Sequence, residues 1–144
     1  MILPQFYVDD LIKNAIKEDI NYIDVATDYL LDENEESEAV FIAKADGVLC
    51  GLDVAMRVFT LLDDTFTCTL HKKDGDEIKK GDLIAELEGK TVRLLKGERT
   101  ALNLIQHMSG IATITNACVK EIEGTKGTIA DTRKTLPGLR SLQK

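Results

Sequence analysis

The stretch Thr128-Ile129-Ala130-Asp131-Thr132-Arg133-Lys134-Thr135-Leu136-Pro137-Gly138-Leu139-Arg140 gathers the groups best able to do chemistry in this chain of 144 residues. Its first apolar and β-branched residues read as a short strand over Gly127–Asp131, and an acid, a hydroxyl, two adjacent cations and a Pro-Gly breaker follow at once. A strand fixes the backbone, so the loop after it presents Arg133 and Lys134 from a rigid base. Arg offers a planar fork that matches a carboxylate, and Lys offers a point charge suited to phosphate. The spacing therefore predicts a site for a small anion. The same residues also read as a solvated basic turn after an edge strand, since short charged loops are common.

Other reactive side chains are scattered. His71 sits beside Lys72 and Lys73 in a turn-rich region, and His107 has no carboxylate at helical spacing to orient it. No His, Cys, Asp or Glu cluster has metal-ligand spacing. There is no Gly-rich phosphate loop and no Ser/His/Asp or Cys/His arrangement. Cys50, Cys68 and Cys118 are odd in number, far apart and set in apolar surroundings, which predicts reduced core thiols in a cytoplasmic protein.

Charge narrows the partners. Residues 1–38 hold eleven acids and two lysines, whereas 39–144 hold fourteen acids and sixteen Lys and Arg, so the net charge of −7 is carried by an acidic N-terminal arm. Four cations and one acid lie between Asp131 and Lys144. That distribution suits a small anionic ligand and not a nucleic acid lying across the surface. No apolar run approaches the ~20 residues of a membrane span, and the start Met-Ile-Leu-Pro-Gln has no signal-peptide pattern. An apolar share of 44% with 30% charged residues is that of a globular chain with one core.

The elements that must position the loop can be read in order. Phe6–Ile20 has helical apolar spacing at Val8, Leu11, Ile12, Ala15 and Ile16. Asn21–Leu31 is left unassigned, and 32–36 reads as a solvated acidic loop. Ala39–Ala43 is a strand before a turn at Asp46-Gly47, Leu52–Leu62 a helix, and Thr65–Leu70 a half-buried strand. Gly75-Asp76-Glu77-Ile78 and Gly81-Asp82-Leu83-Ile84 form a pair of tight turns around short strands. Leu94–Ile122 is the longest helical pattern, with Gly97 and Gly110 as points where it divides. Arg99, Asn103, Gln106, Gly110 and Thr113 fall on one polar stripe spanning about 80° of the helix, which reads as a wet face. Gly110 costs near 1 kcal/mol inside a helix, a cost that a packed interface or a ligand would justify.

Two blocks carry a family resemblance. Asp131-Thr132-Arg133-Lys134-Thr135-Leu136-Pro137-Gly138-Leu139-Arg140, preceded by Gly97-Glu98-Arg99-Thr100-Ala101-Leu102-Asn103 through Ser109-Gly110-Ile111-Ala112-Thr113, resembles the quinolinate phosphoribosyltransferases of NAD synthesis. Members of that family are much longer than this chain. The resemblance implies an α/β (α+β) protein: an N-terminal α+β barrel-sandwich domain over 1–110, then over 111–144 the first helix, strand and loop of an incomplete α/β barrel. It implies a phosphoribosyl transfer from phosphoribosyl pyrophosphate to quinolinate with decarboxylation, giving nicotinate mononucleotide, pyrophosphate and CO2. Arg99 and Arg133 would hold substrate carboxylates, Lys134 would join the anion cluster, and Thr132 would be a lesser hydroxyl donor. Arg140 would be structural or at the rim, and no residue here is singled out as a catalytic acid, base or nucleophile. The family uses Mg2+, held mainly through pyrophosphate, with its few carboxylate ligands expected beyond Lys144. It also implies a homodimer or higher oligomer, with Arg99 entering a neighbouring subunit's site, and predicts that these 144 residues alone are inactive.

Two other readings stay open. One is a related phosphoribosyltransferase-like protein of other substrate, such as the molybdenum-transport-linked relatives. The other is a non-catalytic barrel-sandwich module, since the Gly-Asp turns also resemble lipoyl and biotinyl carrier domains. Lys44-Ala45 lies in a plausible turn for such a module but lacks the flanking residue types.

Overall fold

A computed structural model of the chain describes residues 4–20 and 24–144. Its organising element is α4 (Thr91–Glu121), one helix of 31 residues. Neither Gly97 nor Gly110 interrupts it, so the helix that the sequence divides at Gly110 runs straight through. The reason at Gly97 is packing: a Cβ there would lie 2.8 Å from two ring carbons of Phe59. Gly97 lets α3 (Leu52–Leu62) approach closely, and the contact is worth more than the helix propensity it forgoes. At Gly110 the added Cβ would meet nothing within 4 Å, so among the described residues no packed neighbour explains that glycine.

The N-terminal helix α1 (Gln5–Asp19) lays Val8 and Ile12, both 0% exposed, onto the core formed by α3 and α4. Asp9 fastens it there, accepting from Arg57 Nε at 2.8 Å and Nη2 at 2.7 Å. The unassigned stretch 21–31 falls partly outside the described residues. Its remainder holds α2 (Val25–Leu30), capped where Asp24 accepts from the Thr27 N–H at 3.4 Å and the Thr27 hydroxyl at 2.7 Å. Helix α3 buries Leu52, Val54, Ala55, Met56, Val58 and Phe59. It begins after Gly51, and Asp74 accepts from the N–H groups of Gly51 and Leu52 at 3.0 and 2.9 Å.

Against these helices lies an antiparallel sheet of β1 (Glu36–Ile42), β5 (Leu83–Lys90) and β3 (Thr67–Leu70), with β5 in the middle. Phe41, Ala85 and Leu87 point inward, whereas Val40, Glu86 and Glu88 point out, as strand alternation requires. A second, two-stranded sheet pairs β2 (Gly47–Val48) with β4 (Glu77–Ile78). The paired Gly-Asp turns use one device twice. Asp76 accepts from the Lys73 N–H at 2.9 Å and Asp82 from the Lys79 N–H at 3.1 Å, with Gly75 and Gly81 at φ of 94° and 96°.

Three expectations are corrected. Strand β3 is not half-buried: all four of its residues are exposed, because it is an edge strand and the inward contact falls to Phe66 just before it. Phe66 stacks on Phe59 with ring centroids 5.4 Å apart. The cysteines are free but are not core residues, since Cys68 lies on that edge, Cys118 lies on the outer end of α4, and Cys50 is half-buried. Finally, Gly127–Asp131 forms no strand. A barrel strand exists only by hydrogen bonding to neighbours, and no neighbour strand for it occurs among the described residues.

Candidate functional site

The loop singled out by sequence lies beside the outer half of α4, and its own side chains shape it. Asp131 pairs with Lys144 at 2.8 Å, and Arg140 donates from Nε to the Thr135 hydroxyl at 3.1 Å and from Nη2 to the Arg133 carbonyl at 3.4 Å. Arg140 is therefore a brace across the loop. The short helix α5 (Arg140–Gln143) anchors the far end by burying Leu142. Gln143 links loop to helix: its Oε1 accepts from the Leu136 N–H at 2.9 Å, and its Nε2 lies 2.7 Å from Nε2 of His107.

Between α4 and this loop runs a groove of about 990 Å3. Met108, Ile111, Ala112 and Ile129 give it an apolar floor, and Thr132, Lys134, His107 and Gln143 supply polar groups along its lining. An apolar cleft with a few converging polar groups is the usual form of a small-molecule site. Thr132 Oγ1 accepts from the Lys134 N–H at 3.0 Å, which leaves its own O–H free to donate. Cys50 also reaches the groove, where burial, reinforced by the Asp74 charge, pushes its thiol up and keeps it protonated at neutral pH. It is not poised as a nucleophile.

Of the four residues predicted to bind substrate, two line the groove together: Thr132 and Lys134. Arg133, between them, is exposed and is not part of the lining. Arg99 lies elsewhere. It stands eight residues before His107, about 12 Å along the axis of α4, where its Nε donates to Asp19 Oδ1 and Oδ2 at 3.0 and 3.1 Å. The hydrogen bond and charge of Asp19, with Asp24 and Glu98 adding, hold its guanidinium even more firmly protonated than usual. Within one copy of the chain, Arg99 and the Thr132–Lys134 cluster are not brought together.

Sequence reasoning passed over two sets of residues. Gln143 and His107 were not paired, because a contact across 36 positions leaves no local signal. In the sequence Ser109 and Thr113 stand out only as parts of a motif, and helical spacing puts Thr113 on a wet stripe. In the structure Ser109 Oγ accepts from the Cys50 N–H at 3.0 Å and donates to the Cys50 carbonyl at 3.1 Å, while Thr113 Oγ1 accepts from the Val48 N–H at 2.9 Å. These two hydroxyls, four positions apart on one helix face, dock β2 and the Cys50 backbone that follows it onto α4. Gly47 permits the approach, since a Cβ there would lie 2.7 Å from Thr113 Oγ1. The i, i+4 hydroxyl spacing was the available signal.

Comparison with known proteins agrees with this architecture. The family model described as the N-terminal domain of quinolinate phosphoribosyl transferase matches residues 24–109, and the model of its C-terminal domain matches 111–144. A probable nicotinate-nucleotide pyrophosphorylase (carboxylating) of Bacillus subtilis is 44% identical over 134 residues, covering 93% of this chain and 46% of that protein. The corresponding protein of Mycobacterium leprae is 40% identical over 141 residues, covering 94% and 49%. The crystal structure of NadC from Streptococcus pyogenes superposes with a TM-score of 0.94 at 41% identity, over 99% of this chain and 50% of that one. The chain thus spans about half the length of the relatives it matches. With both domain models matched in order, and the fold shared at high identity, this chain belongs to the quinolinate phosphoribosyl transferase family.

Proposed function

We propose that these residues serve a phosphoribosyl transfer in NAD biosynthesis, in which quinolinate displaces pyrophosphate from phosphoribosyl pyrophosphate and loses CO2 to give nicotinate mononucleotide. The observation that carries this reading is the Asp131–Lys134 loop, held over an apolar groove by α4 and α5 in a chain matched by both domain models of the family. The chemistry asks cations to hold a dicarboxylate, to neutralise a departing pyrophosphate and to tolerate carbanion-like charge during decarboxylation. Positioned Arg and Lys side chains do this by electrostatic stabilisation in a site that excludes water. Lys134 supplies such charge on the groove and Thr132 a free hydroxyl donor beside it, while Arg133, exposed between them, would turn toward the bound anion.

The division at residue 110, with an N-terminal sandwich and the opening of a barrel, belongs to the same reading. So does the pairing of subunits: a homodimer or higher oligomer would let Arg99 of one copy join the Thr132–Lys134 cluster of another, which a single copy keeps apart. Mg2+ would enter with the pyrophosphate. The described residues do not fit a Mg2+ site by themselves, since no group of three or more His, Cys, Asp or Glu among them could hold a metal ion. A cytoplasmic location is part of the proposal, and three unpaired cysteines suit a reducing compartment. No described helix is long and apolar enough to cross a membrane.

The test is an assay of the purified 144-residue chain with quinolinate, phosphoribosyl pyrophosphate and Mg2+, following nicotinate mononucleotide by chromatography. The chain alone is expected to give no turnover, and adding the barrel half of a relative as a second polypeptide is expected to restore it. Turnover by the short chain alone would mean that other residues build the site. Turnover of a different acceptor by the reassembled protein would move the reading to a relative of other substrate.

A further inference from the structure

Two arginines in this chain are held by aspartates, and they are held differently. Arg57 gives Asp9 a complete fork, with Nε on one oxygen and Nη2 on the other. That arrangement uses up the side of the guanidinium and closes the pair on itself. Arg99 gives Asp19 only Nε, shared between both oxygens at 3.0 and 3.1 Å. Its Nη1 and Nη2, with four N–H bonds, take no hydrogen-bond partner among the described residues. The two partners also differ in access: the Arg99 side chain is 59% exposed and that of Asp19 only 25%. Asp19 is the fixed member. It is the last residue of α1, a helix secured by Val8, Ile12 and the Asp9–Arg57 fork.

We propose that Asp19 is a positioning residue for substrate binding: it grips Arg99 by Nε alone and so presents the Nη1/Nη2 edge, end-on, to a carboxylate of quinolinate. The inference rests on the reading of Arg99 as a quinolinate-binding residue and adds what aims it. A planar guanidinium can receive a carboxylate bidentately along its Nη1/Nη2 edge while Nε remains engaged. Holding Nε on a rigid helix end removes rotamer freedom before the ligand arrives, and that loss otherwise weighs against binding. Charge alone argues the opposite way, because an aspartate beside the arginine repels a dianion. The two effects differ in sign and can therefore be separated.

The experiment uses the active enzyme, with these residues continuous with a complete barrel, and reads steady-state kinetics for both substrates. Asp19→Ala is expected to raise KM for quinolinate about tenfold while kcat and KM for phosphoribosyl pyrophosphate stay within about twofold. Asp19→Asn keeps an oxygen to accept from Nε and removes the charge, so its quinolinate KM is expected within about threefold of the parent. A quinolinate KM that is unchanged or lower in Asp19→Ala overturns the proposal, the lower value marking Asp19 as a repelling charge. Arg99→Ala separates the two levels. If it raises the quinolinate KM and Asp19→Ala does not, only the positioning role falls; if Arg99→Ala has no effect, the assignment of Arg99 falls and this inference with it. Asp19→Ala added to Arg99→Ala should bring no further rise, and a further tenfold rise would place the action of Asp19 elsewhere. In the 144-residue chain itself, the Arg99 Nε–H should exchange slowly with solvent by NMR and lose that protection in Asp19→Ala. Fast exchange in the parent chain would deny the grip on which the proposal stands.

Discussion

At the scale of residues, the informative contrast is between charges that are closed on partners and charges that are presented. Arg140 and Asp131 are spent on the shape of the loop, and Asp9 and Arg57 on the seating of α1, whereas Arg133 is exposed and has no ion-pair partner among the described residues. In the complete enzyme proposed above, Arg133→Lys should weaken quinolinate far more than phosphoribosyl pyrophosphate, because Lys keeps the charge but loses the planar fork, and a hydrogen bond to a charged group contributes about 1.5–3 kcal/mol. Calorimetry showing an unchanged quinolinate affinity would remove Arg133 from the site. Asp9 leads to a pH prediction. Its hydrogen bonds and charge pairing with Arg57 depress its pKa below the ordinary value of about 3.9. A carboxylate with a lowered folded pKa contributes stability above its unfolded pKa and loses it as pH falls through the folded one. Thermal melts should therefore show the parent losing stability below about pH 4, while Asp9→Asn starts lower at neutral pH and has a flatter acid limb. An identical acid limb in both would mean that the fork carries no linkage.

At the scale of elements, two glycines of one helix make opposite predictions. Gly97→Ala forces a methyl against the Phe59 ring, and overpacking of that kind costs about 1–3 kcal/mol, more than the ~1 kcal/mol of helix propensity it gains. Gly110→Ala meets open space and should stabilise the isolated chain by up to about 1 kcal/mol. Urea denaturation of both variants checks the signs. If Gly110 is kept for contact with another subunit, the same variant should also weaken assembly. Helix α3 depends on a cap from a distant turn, so Asp74→Ala should cost about 0.5–2 kcal/mol by leaving the Gly51 and Leu52 donors unmet. Sequence periodicity was enough to place α1, α3 and most of α4. It missed the continuity of α4 because a glycine in a helix is a break or a contact depending on what faces it, and Phe59 lies 38 positions away.

For the molecule as a whole, exposed apolar surface leads to a prediction about association. Ile114, Val119, Ile129 and Leu136 are 68%, 47%, 47% and 52% exposed, all on the outer half of α4 or the loop beside it. Ile129 and Leu136 line the groove that holds Thr132 and Lys134, whereas Ile114 lines a second cleft between α4 and β2. Exposed apolar clusters of this kind mark interaction surfaces. The isolated chain is expected to self-associate with rising concentration in analytical ultracentrifugation, and Ile114→Glu to reduce that association without lowering the melting temperature. A monodisperse monomer at all concentrations would contradict this.

What the sequence by itself determined was chemical identity and local form. The order of Asp131, Thr132, Arg133 and Lys134, the two Gly-Asp turns and the helical spacings of 6–20 and 52–62 are encoded within a few positions, where propensity and periodicity act directly. The tertiary structure alone decided which of those groups meet. It set Thr132 and Lys134 on one groove and Arg133 outside it, gave Arg99 to Asp19 across 80 positions, and turned Ser109 and Thr113 from motif letters into the clamp on β2. It also left Gly127–Asp131 without strand structure, since hydrogen bonds to neighbouring strands, and not the apolar residues themselves, make a strand. Contacts between distant positions depend on the packing of the whole chain, and no local pattern of residue types encodes them.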